Sequence, residues 1–157
     1  MDLGAFAVKV ETTGINEIMD QMARMKQLTG KVATNMLIAG GNTFQKWWII
    51  EAMQHGHKRS GDMVKSIAFS KPKDRGNGLQ TDIYPQGKGR KGVKNNVKAF
   101  VLHHGRNGRG KIDGDEWVKD VVLDATDESN AAMADVWGKF IETGNVPDVK
   151  KLRKGQK

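Results

Sequence analysis

Apolar and polar residues alternate through Phe6-Ala7-Val8-Lys9-Val10-Glu11, which places Phe6, Val8 and Val10 on one face of a strand that Gly14 ends. The period then lengthens. Ile15, Ile18, Met19, Met22 and Met25 recur every three or four residues and predict a first helix from Asn16 to about Leu28, with Thr29-Gly30 as its stop. Val32, Met36, Ala39, Thr43, Trp47 and Ile50 renew the stripe and predict a second, long helix to about Gln54, the expected spine of the core. Gly40-Gly41 within it costs about 1 kcal/mol per glycine relative to alanine, so a kink or a close backbone crossing is expected there. The eight methionines and Trp47-Trp48 are expected to pack inward.

After Gly56 short apolar runs alternate with Gly, Pro and Lys. Ser66–Lys71 and Leu79–Tyr84 read as strands joined by the turn-rich Pro72–Gly78, and Val97–His104 reads as a third. The stretch Pro85–Gly92 is too rich in glycine and charge to pack and is expected to be a mobile loop. Helical spacing returns over Asp124–Glu142 through Ala125, Ala132, Met133, Val136, Trp137 and Phe140, with Asp127 or Ser129 as caps. The pattern predicts an α+β fold: helices packed on one mostly antiparallel sheet, with a long central helix and a basic C-terminal tail. Residues 1–148 form one domain in this reading, and 149–157 a disordered basic tail.

Composition adds exclusions. No window approaches the ~20 apolar residues of a membrane helix, and MDLGAFAVKVE lacks a signal-peptide pattern, so a cytosolic chain without membrane contact is expected. The absence of cysteine excludes disulfides, thiolate metal sites and cysteine nucleophiles. The net charge of +8 is segregated. Residues 1–54 are neutral, residues 55–111 carry +11, residues 112–148 hold ten acids against Lys119 and Lys139, and the last nine residues add five cations. Such blocks suit surfaces that meet each other or a polyanion.

Candidate chemistry is sparse. His55-Gly-His57 can chelate a metal, with Asp113, Asp115 or Glu116 completing a hydrolytic site, but no familiar zinc spacing is present. His103 and His104, read on a strand, point to opposite faces. No serine elbow and no phosphate-binding glycine motif occurs, so no enzyme, cofactor or resident metal is expected. Lys88, Arg90, Lys91 and Lys94 in one loop, with Arg106, Arg109 and Lys111 in another, can neutralise phosphates without reading bases. A sequence-nonspecific DNA-binding protein, or a metal-dependent nuclease, is therefore the alternative reading.

One segment is more specific. Arg59-Ser60-Gly61-Asp62-Met63-Val64-Lys65-Ser66-Ile67 resembles the R-[TS]-G-x-[LM]-x-x-S-[IL] element of a tailed-phage morphogenesis family, the gene-product-ten-like head–tail joining proteins related to lambda-type tail-completion proteins. Phe100-Val101-Leu102-His103-His104-Gly105 is similar to that family's strand ending in an aromatic or histidine stretch before glycine, and Trp117 stands in the place of its later aromatic anchor. The resemblance spans roughly residues 6–142. It implies a structural protein of the virion neck, assembled in the bacterial cytoplasm as a homo-oligomeric, hexameric ring. That ring would complete the head-proximal end of the tail and meet a tail terminator or tube and the head connector. It also implies an assembly interface through Arg59, Ser60, Gly61, Ser66, His104, Gly105 and Trp117, with the basic loops lining a DNA channel. Within the element, Ser60 is expected to cap a short helix, Gly61 to permit its tight entry, and Met63 and Ile67 to pack inward.

Overall fold

The structure, a computed structural model, describes residues 13–57, 61–76 and 78–155; the expected strand at Phe6–Glu11, Arg59 and Ser60 lie outside them. The two helices expected before Gln54 are one: α1 runs unbroken over Thr13–Gln54. Thr29-Gly30 does not stop it. The Thr29 hydroxyl folds back onto the carbonyls of Met25 (2.7 Å) and Lys26 (3.0 Å), and the Thr34 hydroxyl onto that of Gly30 (2.9 Å), so the polar groups that favour a turn are satisfied within the helix. The last helix, α4, spans Trp117–Thr143 rather than starting near Asp124. Asp127 and Ser129 are therefore interior positions, and the start is held by the Asp115 carboxylate accepting the Trp117 amide (3.3 Å).

Helices α1 and α4 pack antiparallel, with Trp48 beside Trp117, Lys46 paired with Glu128 and Gly40 facing Ser129 and Met133. Trp117, Val121, Ala125, Ser129 and Val136 form the buried stripe of α4. The glycine pair provides the expected close crossing. A Cβ on Gly40 would lie 2.8 Å from Ser129 Oγ, and one on Gly41 would lie 3.0 Å from the Phe69 ring. The spine is thus contacted from two sides.

The remaining elements are short. Helix α2 (Asp62–Lys65) is followed by β1 (Ile67–Phe69), β2 (Lys73–Asp74), β3 (Leu79–Gln80) and β4 (Ile83–Pro85). Strand β1 pairs antiparallel with β4, with Ala68 opposite Tyr84, and β2 pairs with β3. Then come α3 (Asn95–His104), β5 (Gly105–Arg106) and β6 (Ile112–Asp113), the last two paired. The α+β class holds, but in place of one sheet the described residues form three separate two-stranded ribbons. Val97–His104 is a helix, not a strand. Asn95 and Ala99, four residues apart, are buried on its inner face, and Leu102 joins the core.

The tail is also placed differently. Instead of a disordered end, residues 145–155 run extended along α1. Asn35 Nδ2 donates to Pro147 O (2.6 Å), Asn42 Nδ2 to Lys150 O (2.9 Å) and Gln45 Nε2 to Arg153 O (2.7 Å), while the Leu152 amide donates to Asn42 Oδ1 (2.9 Å). Those three amides share one face of α1 at spacings of seven and three. The Gly155 amide reaches Ile67 O (3.0 Å). These hydrogen bonds order the strap together with its half-buried Val146, Pro147, Val149 and Leu152 and with Lys151, whose Nζ lies 4.4 Å from the Phe69 ring centre. No helix among the described residues is long and apolar enough to cross a membrane.

Candidate functional site

The region carrying most of the singled-out residues lies between α2, α3 and the two basic loops. Gly61 (φ 69°) occupies the N-cap position of α2, a left-handed conformation that glycine adopts at little cost, and among the described residues no side chain caps the helix. Met63 and Ile67 pack inward as expected. Ser66 closes α2, its buried hydroxyl donating to Met63 O (2.7 Å). Trp117, fully buried, stands edge-on to Trp48 with ring centres 5.1 Å apart. Ser66 and Trp117 are thus parts of the core, not residues offered to a neighbour; the aromatic serves the fold because it opens α4 against the end of α1.

His104 and Gly105 end α3, with the exposed His104 ring 4.5 Å from that of Phe100. On a helix the adjacent histidines are not on opposite faces, and the rings of His103 and His104 are 4.4 Å apart.

The loop expected to be mobile is closed on itself. Lys88 and Lys94 form a β-bridge, and the Gly89 amide donates to Val93 O (3.0 Å). Asp62 captures its tip: the Arg90 amide donates to Oδ2 and the Arg90 Nε to Oδ1, both at 3.2 Å. The Arg90 backbone amide, then its guanidinium, holds the Asp62 carboxyl below the usual range. In the second loop Arg106 donates to Gly110 O (2.8 Å), Lys111 pairs with Asp113 (3.0 Å), and Arg109 is exposed.

Arg90, Lys91 and Arg106, from both loops, line one cleft of about 740 Å³. Lys98 of α3 joins them, above an apolar floor that includes Val93, Val97, Val101, Leu102 and Ile112. Lys88, Lys94, Arg109 and Lys111 lie outside it. Beside the cleft Val97 and Phe100 are 47% and 62% exposed, which gives α3 an outward apolar face among cations.

A second outward apolar face lies on α4. Leu123, Trp137 and Ile141, exposed by 74%, 43% and 63%, fall with Ala134 within about 40° of one helix face. Asn130 and Asp127, both exposed, share that face, and Asp124 and Glu142, also exposed, border it on one side. Met25, expected in the core, is 65% exposed. Helix α1 is 42 residues long and α4 only 27, so α1 is longer than its partner by roughly 22 Å.

His57 also lines the cleft and is grouped with His55 and Asp115, while Glu51 and Asp120 gather on the other side at His55. Of the three oxygen donors considered for His55-Gly-His57, only Asp115 is brought in. The apolar α4 face and the tail-binding amides of α1 were not singled out from the sequence; the helical spacing of Leu123, Ala134, Trp137 and Ile141 was the available signal for the first. No protein-family model, curated protein or solved structure matches the chain.

Proposed function

We propose that this chain is a structural, non-enzymatic assembly protein of a tailed-phage neck. It forms a homo-oligomeric ring that completes the head-proximal end of the tail and meets the connector in the virion. The single observation that carries the reading is the pair of outward apolar faces with opposite charged borders: α3 and its cleft among cations, α4 among carboxylates.

A face that is not self-complementary cannot close a twofold dimer, but it can pack head to tail on the next copy and repeat until a ring closes. Charge complementarity then fixes direction and register, and the apolar residues supply the buried area. The cleft is long on apolar lining and short on convergent catalytic groups, which suits an acidic amphipathic helix better than a small substrate. The Arg59–Ile67 element, through its resemblance, supplies the placement in the neck.

Electron microscopy of particles assembled with and without the chain tests the reading. Tails lacking it should remain unjoined to heads, and added protein should restore joining; complete particles formed without it would overturn the proposal. The convergence of Arg90, Lys91, Lys98 and Arg106 favours a second reading, in which the same cleft holds nucleic-acid phosphates without sequence preference.

A further inference from the structure

We infer that His55, His57 and Asp115 form a binding site for a divalent transition-metal cation, which clasps the end of α1 to the start of α4. The inference is independent of the ring.

The backbone makes the histidine pair. At the end of α1 the His57 amide donates to Ala52 O (2.8 Å) and the Gly56 amide to Met53 O (3.1 Å), a helix-ending motif that requires the left-handed conformation Gly56 adopts (φ 73°). That reversal brings residues two apart to one side, with the imidazole rings stacked at 5.9 Å and 25°. Trp117 stands edge-on to His57 at 5.4 Å and fixes its ring. Asp115 arrives from the turn before α4, whose amides at Asp115 and Glu116 donate to Leu102 O and His103 O.

His55 Nδ1 lies 3.1 Å from Asp115 Oδ2, and His57 Nε2 lies 2.9 Å from the same oxygen. The donor atoms of the three residues all fall within 4.8 Å of one another. Ligand bonds of 2.0–2.1 Å in a tetrahedral zinc site set donor atoms about 3.3 Å apart, so each histidine–Asp115 distance needs to open by only a few tenths of an ångström.

Two observations favour a metal over a plain ion-pair cluster. His57 is nine-tenths buried, and its Nε2 makes no hydrogen bond despite the nearby Asp115 oxygen. A buried ring nitrogen without a hydrogen bond is costly unless something accepts its lone pair. Second, His55 Nε2 faces Asp120 Oδ2 at 3.0 Å, with Glu51 Oε2 at 3.8 Å. With the proton on Nε2 donated to Asp120, Nδ1 is left free to ligate, the carboxylate–histidine–metal arrangement of built sites. Two imidazoles and one carboxylate suit Zn²⁺ or Co²⁺, with water completing the shell.

Titration of the chelator-stripped full chain with Zn²⁺, followed by calorimetry and melting temperature, tests the site, and Co²⁺ absorption reads its geometry. We expect one saturable ion per chain, a higher melting temperature and the visible bands of a four- or five-coordinate cobalt centre. His57→Asn and the isosteric Asp115→Asn, which keeps the Oδ1 acceptor for the Trp117 amide, should each weaken binding by about 100-fold or more. Asp120 is a positioning residue: Asp120→Asn should weaken affinity by about 10–100-fold while leaving the cobalt spectrum unchanged. His104→Ala should bind as the parent does. No saturable binding at millimolar Zn²⁺, or binding unchanged in folded His57→Asn and Asp115→Asn, would overturn the inference.

Discussion

Gly40 of α1 and Ser129 of α4 meet where the two long helices cross, so closely that a Cβ on Gly40 would lie 2.8 Å from Ser129 Oγ and 3.1 Å from Met133 Cγ. The glycine, unfavourable for the isolated helix, sets the distance between the two elements that make most of the core. Gly40→Val should therefore destabilise the fold by about 1–3 kcal/mol through overpacking, read by chemical denaturation. A stability within experimental error of the parent would show that the crossing is loose.

Trp48 and Trp117 interlock edge to face, and Trp117 has no exposed surface. Trp117→Ala should cost about 3–5 kcal/mol, as large aromatic truncations in cores do. If the residue instead served a neighbour, the monomer would melt unchanged.

Asn42 both donates to and accepts from the C-terminal strap, at 2.9 Å in each case. Asn42→Ala should cost about 1–2 kcal/mol and expose the 145–155 segment to limited proteolysis, whereas substitutions at the exposed Lys154 should leave it protected. Equal cleavage rates in parent and Asn42→Ala would contradict the docking.

Glu128 accepts from Trp47 Nε1 (2.7 Å) and Lys46 Nζ (3.0 Å), and those bonds, the Trp47 contact first, hold its carboxyl below the ordinary glutamate range. A lowered folded-state value means the contribution is present above the pKa of the unfolded chain and is lost as pH falls through the folded value. The side chain is 46% exposed, so the contribution is no more than about 1 kcal/mol. Glu128→Gln should thus lower stability at neutral pH, and the difference from the parent should vanish on acidification below that range. A difference that persists undiminished in acid would assign the effect to packing.

Much of this was legible from the chain. The helical period over Val32–Ile50 and the glycine crossing follow from spacing, and the inward Met63 and Ile67 from the reading of the Arg59–Ile67 element. The misreadings share a cause, which is that local pattern cannot see a partner. Val97–His104 is apolar and carries two valines, but Asn95, Ala99 and Leu102 recur at four and three residues because a helix there turns them towards α2, β4 and the start of α4. The basic tail shows no periodicity, yet Asn35, Asn42 and Gln45, more than a hundred residues away, hold its backbone. Asp115 was one of three acids offered to His55 and His57, and only the packing of α4 on α1 selects it.

For the basic loops the account separates DNA contact from assembly. The free protein should bind duplex DNA weakly, without sequence preference, and with affinity falling steeply as salt rises. Arg90 is already tied to Asp62, so neutralising Lys88, Arg90 and Lys91 together should flatten the salt slope by about two units rather than three. Tight binding of one sequence at physiological salt would instead favour the nucleic-acid reading.

The central claim is head-to-tail packing of the α4 face of one copy on the α3 face of the next. The chain has no cysteine, so introduced thiols report only the contacts they are placed in. Phe100→Cys and Ile141→Cys each sit on one of the two faces, at positions exposed by 62% and 63%. With a short bis-maleimide, the double variant should give a ladder of cross-linked oligomers ending in one closed species, while each single variant remains monomeric. Dimers from either single variant, or no ladder from the double, would contradict the account.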